Sequence, residues 1–200
     1  MTEISAAAVR ELRDKTGAGM MDCKRALSET GGNLEKAIDY LRTKGLASAA
    51  KRAGRATNEG LVYAYIHPGG RVGVLVEVNC ESDFVARTDD FVEVCKDVAM
   101  QIAATSPACL RREDFPAERL QRERAIFETQ AAESGKPAAI VEKMVAGRIE
   151  KMYKEVVLLE MPFVKDPNTS VEERVQGAIA RLGENITVRR FARYQLGEEI

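Results

Sequence analysis

The sequence has little with which to do covalent chemistry: one histidine, His67, and four cysteines, Cys23, Cys80, Cys95 and Cys109, in 200 residues. The cysteines contain no CxxC pair, so neither a zinc site nor a disulfide framework is indicated, and reduced thiols are expected. Nucleophilic catalysis needs a base beside a cysteine or serine. His67 sits in a predicted turn between Ile66 and Pro68, where a solvated ring is the ordinary outcome. A glycine-rich phosphate loop is lacking too, because Gly17-Ala18-Gly19 falls between two predicted helices and not after a strand. Nor is there an excess of charge of one sign. Thirty Lys and Arg stand against 31 Asp and Glu, and a net charge of -1 gives no overall field to draw in DNA, RNA or anionic lipid. The start has no basic and apolar leader pattern, and the most apolar later stretch, Val156 to Val164, is interrupted by Glu160. Neither export nor a membrane span is expected, and a cytoplasmic location fits.

What is there is an ordinary globular composition, 45% hydrophobic and 30% charged, with room for one sizeable core and a smaller satellite domain. From Thr2 to Lys15, Ile4, Ala8, Val9 and Leu12 recur at helical spacing, with Gly17 as a stop. A second helix is predicted from Met20 to Glu29, ending at Gly31-Gly32, and Asn33 can cap a third with Leu34, Ala37, Ile38 and Leu41 on one face. Three single-striped helices must pack on one another, so residues 1–45 are expected to form a bundle ending at Gly45, similar to a ubiquitin-associated module. Residues 46–60, alanine-rich with Lys51, Arg52 and Arg55 on a solvated face, read as a helical linker.

Beyond Gly60 the period changes to two. Leu61 to Ile66 and Val72 to Asn79 alternate around His67-Pro68-Gly69-Gly70, which predicts a β-hairpin. After the loop CESDFVART, a helix is expected from Asp89 to about Ala104, with Phe91, Cys95, Val98 and Ile102 on one face. Pro116 and Pro137 suit first helical turns, so Pro116 to Ser134 and Pro137 to Lys154 should form an antiparallel helical hairpin. Arg119, Arg122 and Arg124 alternate there with Glu118 and Glu123, as on an exposed helix. A capping box, Ser170 to Glu173, opens one more helix, and Ile186 to Leu196 alternates as a third strand added to the hairpin. Residues 61–200 are thus expected to form an α+β core.

Two places allow a structural and a functional reading. Met20 and Met21 are adjacent at a helix start and cannot both face a three-helix core; they are either a core residue and its rim, or an adaptable thioether surface for a partner. In the loop Ser82-Asp83-Phe84-Val85, Ser82 can cap a turn with Phe84 tucked against the core, or Phe84 can protrude as a probe.

Three blocks, TGAGMMDCKRAL from Thr16, ESDFVAR from Glu81 and GENITVRRF from Gly183, in this order and spacing, resemble the bacterial elongation factor Ts family in its short, single-core form. The resemblance spans essentially the whole chain. It implies a guanine-nucleotide exchange factor that binds elongation factor Tu with GDP and promotes GDP release in translation, without a cofactor of its own or a bond-making step. It also implies that Leu12, Met20 and Met21 lie on the surface that meets the GTPase domain. The family's TDFV loop falls on Ser82, Asp83, Phe84 and Val85, and acts by disturbing the partner's Mg²⁺ site, with Phe84 as an apolar wedge. Ser82 stands where the family usually has Thr, which keeps the capping hydroxyl. Long members carry two core subdomains, so a single-core chain is expected to be a homodimer. Both alternating sets of the first strand, Leu61, Tyr63, Tyr65 and Val62, Ala64, Ile66, are largely apolar and want cover. Two rivals remain: a ubiquitin-associated-like adaptor without exchange activity, and a thiol enzyme using Cys23 or Cys80, which lacks a base.

Overall fold

In the computed structural model, which describes residues 4–198, the chain opens with three helices. The first, α1 (Ala6–Thr16), begins after Ser5, whose hydroxyl accepts from the Ala8 N–H at 3.2 Å. Gly17 closes it: a φ of 66° lets its N–H reach the Arg13 carbonyl at 2.7 Å. The expected start at Thr2 lies outside the described residues, and Ile4 and Ser5 are not helical because Ser5 takes the capping position. α2 (Met20–Glu29) and α3 (Leu34–Arg52) follow, α3 capped as expected by Asn33, whose Oδ1 accepts from the Lys36 N–H at 2.9 Å. Val9, Leu12, Cys23, Ala26, Leu27 and Ala37 form the bundle core. Each buried leucine contributes roughly 2 kcal/mol.

The third helix does not stop at Gly45. A mid-helix glycine costs only about 1 kcal/mol against alanine, and the alanine-rich stretch after it sustains the helix to Arg52. A Cβ at Gly45 would lie 3.4 Å from the Ala180 Cβ, so this glycine marks a close approach of two helices and not an end. Arg52, expected on a solvated face, donates from Nε to the Gly183 carbonyl at 2.9 Å.

After α3 come β1 (Glu59–Ile66), β2 (Val72–Cys80), α4 (Asp83–Ala86), α5 (Asp89–Thr105), α6 (Ala117–Ala132), α7 (Ala138–Val156), β3 (Pro162–Phe163), β4 (Asp166–Ser170), α8 (Val171–Leu182) and β5 (Thr187–Gln195). This is the expected α+β class, with a three-stranded antiparallel sheet in the order β1-β2-β5. Phe91, Cys95, Val98 and Ile102 of α5 are all buried, as their spacing predicts.

The chain clusters into two compact units. One runs to Val62 and takes in Glu77–Cys95 and Glu173–Val188; the other consists of Tyr63–Val76, Lys96–Glu172 and the chain from Arg189. In the first, α8 lies along the helical bundle. Arg42 pairs with Glu173 at 2.6 Å, Gly45 meets Ala180, and a Cβ at Gly17 would come within 3.3 Å of Arg181. Gly60 fixes the start of the sheet: its φ is 143°, and a Cβ there would sit 2.2 Å from the Val78 carbonyl oxygen. Backbone cannot yield to a side chain as a flexible neighbour can. Gly60→Ala should therefore destabilise the protein by about 3 kcal/mol, read as a lower urea midpoint with unchanged slope. An unchanged midpoint would show that the strands part there without cost.

In the second unit, α6 and α7 form the expected hairpin, closed by Gly135 at a φ of 64° and packed through Ala131, Val145, Ile149 and Tyr153. Phe115 meets Tyr153 edge-on with ring centroids 6.1 Å apart, and Arg112 stacks on the same Tyr153 while bonding Glu150 and Glu160. Arg119 is not merely solvated: its guanidinium lies over the Phe115 ring, 5.4 Å from its centre. The antiparallel ribbon β3-β4 is new relative to the sequence reading. Buried Gln101 serves it, donating to the Pro162 carbonyl at 3.2 Å and accepting from the Val164 N–H at 2.8 Å.

Candidate functional site

Two surface features stand out, both within the first compact unit. On α2, Cys23, Ala26 and Leu27 turn into the bundle and leave Met20 and Met21 at the helix start, 47% and 70% exposed. Leu12, expected to share their surface, is fully buried against that helix. It packs with Val9, Cys23, Ala26, Leu27 and Ala37 in the bundle core. Gly17 and Gly19 set the entry to α2: the first ends α1 in the left-handed conformation, and the second occupies the capping position.

The second feature is the loop after β2. Ser82 caps α4, its Oγ accepting from the Val85 N–H at 3.4 Å, which agrees with half of the structural reading. The other half fails. Phe84 is not tucked against the core but stands 82% exposed at the tip of the turn. An α4 of four residues has only one inward position, and Ala86 occupies it, so the side chain two residues earlier points outward. Asp83 pairs with Arg87 at 2.9 Å across one turn, an exposed contact of roughly 0.3 kcal/mol that water or a partner can replace. Val85 is half-buried, and its carbonyl accepts from the Thr88 hydroxyl at 2.8 Å.

The base of the loop is held by residues to which the sequence assigned no role. The Glu184 carboxylate accepts from the backbone N–H of Glu81 at 3.1 Å, from that of Ser82 at 3.0 Å and from the Ser82 hydroxyl at 2.5 Å. In return the Asn185 N–H donates to the Glu81 carboxylate at 2.6 Å, and the Asn185 amide donates to the Arg55 carbonyl at 2.9 Å. Two of the motif blocks thereby meet. Only their common family pattern hinted at it, since 102 positions separate Ser82 from Glu184.

Thiol chemistry finds no support here. All four cysteines are free and buried, and burial pushes the Cys80 thiol up to about 11 and the Cys95 thiol to about 12, with nearby Glu184 adding to the first. His67 stays in its turn, accepting or donating to the Tyr65 hydroxyl at 3.1 Å. Among the described residues no cluster of His, Cys, Asp and Glu could hold a metal ion, and no helix is long and apolar enough to cross a membrane.

Residues 48–198 match the family described as Elongation factor TS. The chain belongs to that family. Elongation factor Ts from Syntrophomonas wolfei is 62% identical over 197 residues, covering 98% of this chain and 92% of its own. Elongation factor Ts from Heliobacterium modesticaldum is 60% identical over 195 residues, covering 98% and 91%. The protein of that name from Desulfitobacterium hafniense is 57% identical over 200 residues, covering all of this chain and 92% of its own. The match to elongation factor Ts thus includes both the methionine pair and the loop that carries Phe84.

Proposed function

We propose that this chain is a guanine-nucleotide exchange factor that binds elongation factor Tu with GDP and promotes GDP release during translation elongation. The observation that carries the proposal is Phe84, a large apolar side chain held in water on a short turn whose base is fully hydrogen-bonded. Leaving an aromatic side chain in water contributes nothing to folding, so its use lies in a partner. Family membership makes elongation factor Tu that partner. Met20 and Met21 dock on the GTPase domain, and the Ser82–Val85 loop works on its Mg²⁺ site. Mg²⁺ and the phosphate-binding loop hold the nucleotide, and each 1.4 kcal/mol removed from those contacts speeds release about tenfold. Phe84 enters between elements of the partner as a wedge, and Asp83, released from Arg87, favours their displaced position. The chain itself makes and breaks no covalent bond.

Linkage separates exchange factor from adaptor. An exchange factor favours the nucleotide-free state, so GDP and the chain must weaken each other's binding by the same factor. Calorimetry of the chain with elongation factor Tu should show affinity falling as GDP is added; an affinity indifferent to GDP would favour the adaptor.

The same reading includes a homodimer. Ile66, Leu75 and Tyr194 on strands, and Leu196 just after β5, are exposed in a single-core chain, and a second copy would cover them. Because the four cysteines are buried and free, the association is noncovalent. Sedimentation at micromolar concentration should give twice the monomer mass with or without reducing agent, and only monomer under both conditions would remove this part.

A further inference from the structure

We infer that Glu184 is a positioning residue for exchange: it locks the base of the 82–85 loop so that Phe84 is presented in one place. The inference rests on the loop acting as proposed above. Three donors converge on this one carboxylate, the N–H groups of Glu81 and Ser82 and the Ser82 hydroxyl, while the same hydroxyl also accepts from the Val85 N–H. The chain of bonds therefore runs from Glu184 through Ser82 into the helical turn that carries Phe84. A side chain fixed by three hydrogen bonds to one loop holds that loop stiffly, and a wedge must be stiff, because a tip that yields transmits no displacement.

Glu184 is itself tied to the docking side of the molecule. It follows α8, whose Glu173, Ala180 and Arg181 meet Arg42, Gly45 and Gly17 of the bundle, and the carbonyl of Gly183, next to it, is held by Arg52. Asn185, on its other side, is 4% exposed and bonds back to Glu81 and Arg55. The segment from α8 to Asn185 is thus a strut between the surface that docks and the tip that acts. Pairing ESDFVAR with GENITVRRF becomes a mechanical requirement.

The test is a cycle of Glu184→Ala and Phe84→Ala, read by the maximal rate and half-saturating concentration of GDP release from elongation factor Tu. Glu184→Ala should lower the maximal rate about tenfold with the half-saturating concentration nearly unchanged, since docking is intact. In the Phe84→Ala background it should add nothing, because its effect passes through that ring. Glu184→Gln should restore most of the rate: its carbonyl still accepts the two N–H groups, and its NH₂ can donate to the Ser82 hydroxyl. Should Glu184→Ala fail to fold, Ser82→Ala replaces it in the same cycle; it removes the hydroxyl's bonds to Glu184 and to the Val85 N–H and keeps the two backbone bonds to Glu184. Losses that add to that of Phe84→Ala would show a direct or general role and overturn the inference. So would a wild-type rate in Glu184→Ala or Ser82→Ala while Phe84→Ala is slow. A wild-type rate in Phe84→Ala itself would instead overturn the loop's proposed action, and this inference with it.

Discussion

Phe84→Ala should slow the maximal release of GDP from elongation factor Tu by about a hundredfold while weakening binding to the nucleotide-free partner by less than about tenfold. The ring is exposed in the free chain, so truncating it leaves stability within about 0.5 kcal/mol of the parent. Any loss of rate is then a loss of action and not of folding. Removing a phenyl ring that becomes buried forfeits about 3 kcal/mol, and if that energy acts only in the exchange transition it converts to the stated factor. Asp83→Ala should act in the same direction and more weakly, because Asp83 already has an alternative partner in Arg87. Stopped-flow traces across Mg²⁺ concentrations check the mechanism. A loop that works through the metal gives its largest advantage where Mg²⁺ is abundant and loses it under chelation. Equal defects with and without free Mg²⁺ would show that the loop merely docks.

Replacing both Met20 and Met21 by alanine should weaken the complex by about 30-fold, nearly all of it in a faster off-rate. Both side chains are partly or largely exposed at the first turn of α2, so their loss leaves the Leu12, Cys23, Ala26 and Leu27 core in place. Alanine is also the best helix former, so α2 should persist, which far-ultraviolet circular dichroism can verify. The contacts carry no charge, and the on-rate should change by less than about threefold. Surface plasmon resonance on nucleotide-free elongation factor Tu reads both rates. Unchanged affinity in a folded double variant would return the methionines to the role of rim residues. Leu12→Ala should behave differently: its side chain is buried, so it unfolds the bundle and loses binding through stability.

Elements with strong periodicity and clear caps were legible from the sequence, because caps and stripes are local. Asn33, Gly17 and Ser82 cap where their chemistry says they should, and α5 buries the four residues that its spacing selects. Gly45 misled because the local cost of a mid-helix glycine carries no sign of what packs against it; only the neighbouring Ala180 explains it. The ribbon β3-β4 escaped because a strand of two residues, Pro162–Phe163, shows no alternation. At the candidate site, the local sequence favoured Phe84 tucked against the core, and the structure exposes it instead, since its orientation depends on Ala86 taking the inward position. Leu12 was drawn to the surface by the family resemblance, whereas its helical stripe, shared with Val9, already pointed inward. Glu184 and Asn185 were in view as letters of a motif, yet their bonds to Glu81 and Ser82 are long-range and leave no periodic trace.

Exchange activity is tested most directly by stopped-flow release of fluorescent GDP from preloaded elongation factor Tu, chased with excess GTP, at chain concentrations well below that of the GTPase. The release rate should rise with each addition of chain and every GTPase molecule should be turned over, because one exchange factor serves many partners and is not consumed. A release rate unchanged by the chain, alongside a stable complex between the two proteins, would contradict exchange activity and leave an adaptor.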